Sequence, residues 1–221
     1  MTTKLKDGDL AYLRLRQMIV NLTLEPGSSV DELYLSKLLD LGRTPIREAL
    51  IRLAQEDLVS IVPRKGTIIA PINFTELKEV EELRWNLEVQ AVHWATQRIS
   101  QSELAELESL LARAEAGDFK HEEDWDVEVD RRFHQLIAKA AKNRHLETTL
   151  NRLYNLSVRL FYASRAQMAK VNEELYDYAE ILTALRQHHP EAAAKGMENH
   201  LIDSRNRIAA MFGPQVLALG R

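Results

Sequence analysis

Leu39-Asp-Leu-Gly-Arg-Thr-Pro-Ile-Arg-Glu-Ala-Leu-Ile-Arg-Leu-Ala54 decides the fold of the first third of this chain. A short turn leads into Thr44-Pro45, and proline suits the first turn of a helix because its missing N–H has no partner there. Two starts fit: Thr44 as the cap with Pro45 following, or a helix that begins at Gly42. Ile46, Leu50 and Leu53 recur at helical spacing and form a buried stripe. Arg43, Arg47 and Glu48 fall on the early, opposite face. Guanidiniums at the start of a short helix with an apolar back suit the DNA major groove, where arginine pairs with guanine O6 and N7 or clamps phosphate. Arg43 and Arg47 pointing inward, tied up by carboxylates, would overturn the reading.

Two helices precede this one. Leu10, Leu13, Ile19 and Leu22 mark an amphipathic stretch that Glu25-Pro-Gly27 closes. Ser29 or Asp31 then caps a second helix to about Leu39. After the Arg-bearing helix, 58–62 and 67–70 read as strands joined by Pro63-Arg-Lys-Gly66. Three helices plus a β-hairpin with a basic tip describe a winged helix-turn-helix over residues 1–72. Arg64, Lys65 and Gly66 form the tip, aimed at the DNA backbone or minor groove; Gly66 permits positive φ and close approach.

Residues 73–221 read as helical throughout, in segments near 74–98, 101–116, 121–141, 144–169, 171–187 and 190–212. Breaks fall at Gly117, Asn143 and His189-Pro190. Six helices on short turns make an antiparallel bundle whose interior suits a small ligand. The fold class is therefore mainly α.

Bulk properties fit this plan. The 221 residues exceed the usual size of one domain, and no apolar run is long enough to span a bilayer. With no cysteine there is no disulfide framework or thiolate metal site, and with no export signal at the start the cytoplasm is favoured. The net charge of −4 divides into +1 over residues 1–72 and −5 beyond. DNA affinity must then come from a local patch and from pairing two subunits.

The order of elements resembles the GntR family of bacterial transcription regulators, in the FadR-like branch with an FCD ligand-binding domain. In the first domain the resemblance rests on Glu25-Pro-Gly27, Arg43-Thr-Pro-Ile-Arg-Glu-Ala-Leu50, Asp57-Leu-Val59 and Pro63-Arg-Lys-Gly66. Gly42 stands where members commonly carry Ser or Thr, and Gly is an acceptable helix cap. In the second domain it rests on Glu82-Leu-Arg-Trp-Asn-Leu-Glu88, Asp130 with Phe133-His134, Asn143, and Leu185 to Ala193 leading to His200.

The resemblance implies DNA contact by Arg43, Thr44, Arg47, Glu48, Arg64, Lys65 and Gly66. It also implies a divalent metal such as Zn, Ni or Mn, held by Asp130, His134 and His200. The fourth family ligand, a histidine, aligns with Tyr178, which is a poor ligand and instead suits a hydrogen bond to an effector or fills the space a metal would occupy. From spacing alone, Asp130 and His134 share a helix face and read equally as a hydrogen-bonded core pair. Arg84 either pairs with Glu81 or Glu88 or, as the resemblance implies, holds an effector carboxylate. Arg159 and Tyr162 line the same cavity, or face solvent or an interface. His188 and His189 belong to an exposed turn, and Trp85, Trp94 and Trp125 to core or interface.

Expected partners are a palindromic double-stranded operator, a small organic acid and a second copy of the chain, with no membrane. The implied function is a repressor whose operator affinity responds to the acid, and not an enzyme. The competing reading is a metal-dependent hydrolase-like bundle with an accessory N-terminal domain. It lacks HExxH, a nucleophile elbow or a P-loop in this sequence.

Overall fold

A computed structural model describes residues 5–64, 66–119, 125–165 and 178–212. Among these, the chain folds into nine helices and one small sheet, grouped in two units. The first unit comprises residues 1–77 and 155–166, and the second comprises 78–154 and 167–221. The expected boundary at residue 72 thus lies inside the first unit, which also takes a stretch from much later in the sequence.

In the first unit, α1 (Asp7–Val20) opens with Asp7 and Asp9, carboxylates that favour the positive end of the helix dipole. Helix α2 (Glu32–Leu39) is capped by Asp31, whose side chain accepts from the Tyr34 amide at 2.7 Å. It ends on Asp40, in the left-handed conformation. Helix α3 (Arg43–Gln55) starts from Gly42 as its cap residue, so of the two registers open in the sequence the earlier is realised. Pro45 still falls within the first turn.

Strands β2 (Val59–Val62) and β3 (Gly66–Ile69) form the expected hairpin, with Val62 opposite Gly66. A two-residue strand, β1 (Ser29–Val30), pairs antiparallel with the other edge of β3 and makes the sheet order β1-β3-β2. Two residues are too few to show a period of two, so this strand left no sequence signal. Leu15, Ile19, Leu35, Ile46, Leu53, Leu58 and Ile69 are fully buried and form one core joining helices to sheet. That core fixes which face of α3 is left outside.

In the second unit run α4 (Phe74–Arg98) from Lys78 on, α5 (Gln101–Glu115), α6 (Trp125–Ala140), the first half of α7 (Arg144–Arg165), α8 (Ala179–Arg186) and α9 (Pro190–Phe212). Ser100 and Glu103 form a reciprocal capping box at the start of α5. Asn143 accepts from the amides of His145 and Leu146 and so caps α7. The core gathers Leu107, Phe133, Ile137, Ile181, Leu185 and Met197, with Tyr178 buried among them. Gly196 lets α9 lie close on α8, since a Cβ there would come to 3.0 Å from Ile181. No helix among the described residues is long and apolar enough to cross a membrane.

Candidate functional site

Two sites emerge, one in each unit. In the first, Ile46, Ala49, Leu50 and Leu53 turn one face of α3 into the core. Arg43 and Arg47, four apart, occupy the opposite face, and each guanidinium-bearing side chain is 63% exposed. They point outward and not into the core. Both also meet Glu32 at the start of α2: Arg47 donates from Nε and Nη2 to its two carboxylate oxygens at 2.7 and 2.8 Å, and Arg43 Nη2 lies 3.6 Å away. The Arg47 hydrogen bonds hold the Glu32 carboxyl below its ordinary value, against burial, and the charges of Arg47 and Arg43 add to that.

Thr44 and Glu48 are exposed on the same helix, and Arg64 is exposed at the hairpin tip. Arg64 and Gly66 both adopt positive φ, 64° and 87°. A Cβ on Gly66 would have space (its nearest neighbour is 3.7 Å away), so the dihedral angle is what favours glycine there. Lys65 lies outside the described residues.

The second site is a buried charge cluster. Asp130 and His134 sit four apart on α6, Arg84 and Glu88 four apart on α4, Tyr154 on α7, His200 on α9, and Tyr178 just before α8. Asp130 accepts from Tyr154 at 2.9 Å through one oxygen and from Tyr178 at 3.0 Å through the other. His134 turns Nδ1 to Glu88 at 3.0 Å and Nε2 to the centre, 3.6 Å from Asp130 and 3.0 Å from His200 Nε2. Arg84 lies 3.4 Å from Glu88, 3.7 Å from Glu81 and 3.4 Å from His134 Nε2. Arg84 thus makes the ion pairs with Glu81 and Glu88 that helical spacing allows.

The charges settle in a definite order. Burial disfavours an imidazolium at His134, yet Glu88 and Asp130 outweigh burial and push it up to about 9. Burial lowers His200, with Asp130 opposing and His134 reinforcing that shift. A cation is thus favoured at His134 and a neutral ring at His200. Asp130 and Glu88 are disfavoured as anions by burial, but attraction to His134 leads the terms that hold both below the ordinary carboxyl range.

The donors also fit a metal ion. Asp130 Oδ1, His134 Nε2 and His200 Nε2 form a triangle with edges of 3.6, 3.4 and 3.0 Å. Ligands at the usual 2.0–2.2 Å from zinc lie about 3.0–3.6 Å from one another, so the triangle matches one face of a coordination shell. Glu88, 3.0 Å from His134 Nδ1 in an ion-pair contact without hydrogen-bond geometry, stands on the side from which a carboxylate would orient a histidine ligand. Tyr178 adds a phenol hydrogen bond to Asp130 where the resemblance expects an imidazole.

Arg159 belongs to the first unit, where it is buried and donates to the carbonyl of Ala70. Burial pushes its guanidinium down to about 10, against the pull of Glu76. Of the two readings open for it, lining the cavity or facing solvent or an interface, the contact with Ala70 speaks to neither, and its stretch of α7 from residue 155 on belongs to the first unit. Tyr162 is half-buried on the same stretch. His188 and His189 are exposed, as their turn predicts. A separate groove of about 580 Å³ runs over α5, α6 and α7, lined by Arg113, Arg132, Gln135, Lys139, Glu147 and Asn151 among others. It shares no residue with the charge cluster. Sequence reasoning assigned no site role to Glu88 or Tyr154; the first was visible as the residue four after Arg84, while the second gave no signal.

Comparison with known proteins follows the same division. Residues 9–69 match the bacterial regulatory proteins of the gntR family, and residues 79–203 match the FCD domain. The chain belongs to the GntR family, in the branch that carries an FCD domain. It is similar to the HTH-type transcriptional repressor RspR of Escherichia coli, 27% identical over 190 residues, 86% of this chain and 83% of that one. The Nta operon transcriptional regulator of Aminobacter aminovorans is 32% identical over 147 residues, 66% of this chain and 68% of that protein. Among solved structures, E. coli McbR/YncC has the same fold, with a TM-score of 0.82 at 21% identity over 95% of this chain and 100% of that one. The protein is a DNA-binding transcription regulator.

Proposed function

We propose that this regulator is a repressor whose hold on DNA responds to a small organic acid bound in the FCD domain. The observation that carries the effector reading is the buried cluster of Arg84, Glu88, Asp130, His134 and His200. Charged side chains are almost never fully buried unless paired, and such clusters concentrate at binding sites. Arg84 presents a planar fork that suits an effector carboxylate. Tyr178 and Tyr154 stand beside it with phenol groups that can exchange partners when a ligand enters.

A divalent metal would be held by Asp130, His134 and His200, and would supply a Lewis-acidic seat for a ligand oxygen. His134 must give up its proton to serve, so uptake would release a proton near neutral pH. Arg43, Thr44, Arg47, Glu48, Arg64, Lys65 and Gly66 form the DNA-contacting set. One short helix reads only a few base pairs, so a palindromic operator bound by two copies follows from the need for specificity. Repression is supported by relatives such as RspR and GlaR, both named repressors. The matching families and relatives are regulators, which favours this reading over a metal-dependent hydrolase.

The test is elemental analysis and native mass spectrometry of the purified protein, then calorimetric titration with a panel of organic acids, with and without chelator. Binding that Arg84→Ala or His200→Ala abolishes supports the proposal. Acid binding that both substitutions leave intact refutes the site.

A further inference from the structure

We infer that Glu32 is a specificity-determining residue, one that aims Arg47 at a guanine edge and does not merely pair with it. The inference rests on the reading of α3 as the DNA-contacting helix. A guanidinium has five N–H donors, and Glu32 engages the side formed by Nε and Nη2. The opposite edge keeps both Nη1 hydrogens and one on Nη2. Those provide the two parallel donors that guanine O6 and N7 accept.

Glu32 is itself well placed. It occupies the first turn of α2, where the helix dipole favours an anion, and the Asp31 cap fixes that turn. Its carboxylate also lies 3.6 Å from Arg43, so one anion sets the position of both guanidiniums. Exposed ion pairs contribute little to folding, and both arginine side chains are 63% exposed. The consequence falls on recognition. Arg47 would otherwise lose rotamer freedom on binding, and Glu32 imposes that loss in the free protein. The same negative charge opposes phosphate, which lowers sequence-independent affinity and widens the gap between operator and other DNA.

The experiment is selection by the full-length protein from a pool of duplexes with a randomised 30-base-pair centre. Wild type, Glu32→Gln, Glu32→Ala and Arg47→Ala are compared, each checked for fold by circular dichroism. The selected duplex is then measured against versions in which each G·C pair is replaced by A·T. In wild type, the pair read by Arg47 should carry a penalty of roughly 5- to 150-fold per half-site. Both Glu32 variants should bind the random pool more tightly, with a steeper salt dependence, and that penalty should fall toward onefold. A penalty that stays at its wild-type value in both Glu32 variants overturns the inference, whatever happens to overall affinity. If Arg47→Ala leaves the selected sequence unchanged, or wild type selects none, the α3 reading itself fails.

Discussion

Replacing Asp130 by Asn removes one of the two anions that face His134 while keeping the shape of the side chain. In the bundle Asp130 takes hydrogen bonds from Tyr154 and Tyr178 and lies within 3.6 Å of both ring nitrogens. The amide oxygen can keep one phenol; the amide nitrogen must donate to the other. Removing one partner from a buried ion pair commonly costs about 3–5 kcal/mol. His134 limits this loss, because it can shed its proton. Its folded value of about 9 stands about two units above neutrality, and each unit is about 1.4 kcal/mol. The expected loss at pH 7 is therefore about 3 kcal/mol, a large share of the roughly 5–15 kcal/mol typical of a domain. Urea denaturation with chelator present, followed by tryptophan fluorescence, measures it. Trp85, Trp94 and Trp125 all fall in the second unit, so the signal reports the bundle alone. A loss under about 1 kcal/mol would refute the reasoning, since relief from burying Asp130 would then outweigh the pairing.

Three further outcomes are expected. With no metal bound, the bundle should lose stability as pH rises from 6.5 toward about 9. His134 has a raised folded value, so its contribution is complete below 6.5 and disappears through about 9. The slope should approach −1.4 kcal/mol per pH unit, about one proton, and fluorescence-detected urea midpoints independent of pH would contradict a folded imidazolium. Ser100→Ala should destabilise the bundle by about 1 kcal/mol, because Ser100 and Glu103 each satisfy an amide that α5 leaves open; thermal denaturation with no change in midpoint would count against the box. Leu53→Ala should cost the first unit about 3–5 kcal/mol, since Leu53 is fully buried between helices and sheet. Hydrogen exchange should show residues 43–55 losing protection while α5 and α6 keep theirs, and equal loss in both units would argue against separate cores.

Local pattern carried much of this protein. The 3.6-residue stripe of Ile46, Leu50 and Leu53 determined which side of α3 is buried, and so which side presents Arg43 and Arg47, because a helix face follows from spacing alone. The same rule put Asp130 beside His134 and Arg84 beside Glu88. Asp31, Ser100 and Asn143 declare helix starts by their own chemistry. Tertiary structure decided what depends on elements far apart in the chain. Only the packing of α6 against α9 brings His134 to His200 across 66 positions, and only the approach of α2 to α3 sets Glu32 against Arg47. The two-residue strand β1, and the contact of Arg159 with Ala70, were likewise settled by partners and not by sequence period. A helical repeat states which residues share a face, whereas the charge that a face meets, and hence the protonation of His134, is set by the neighbour packed upon it.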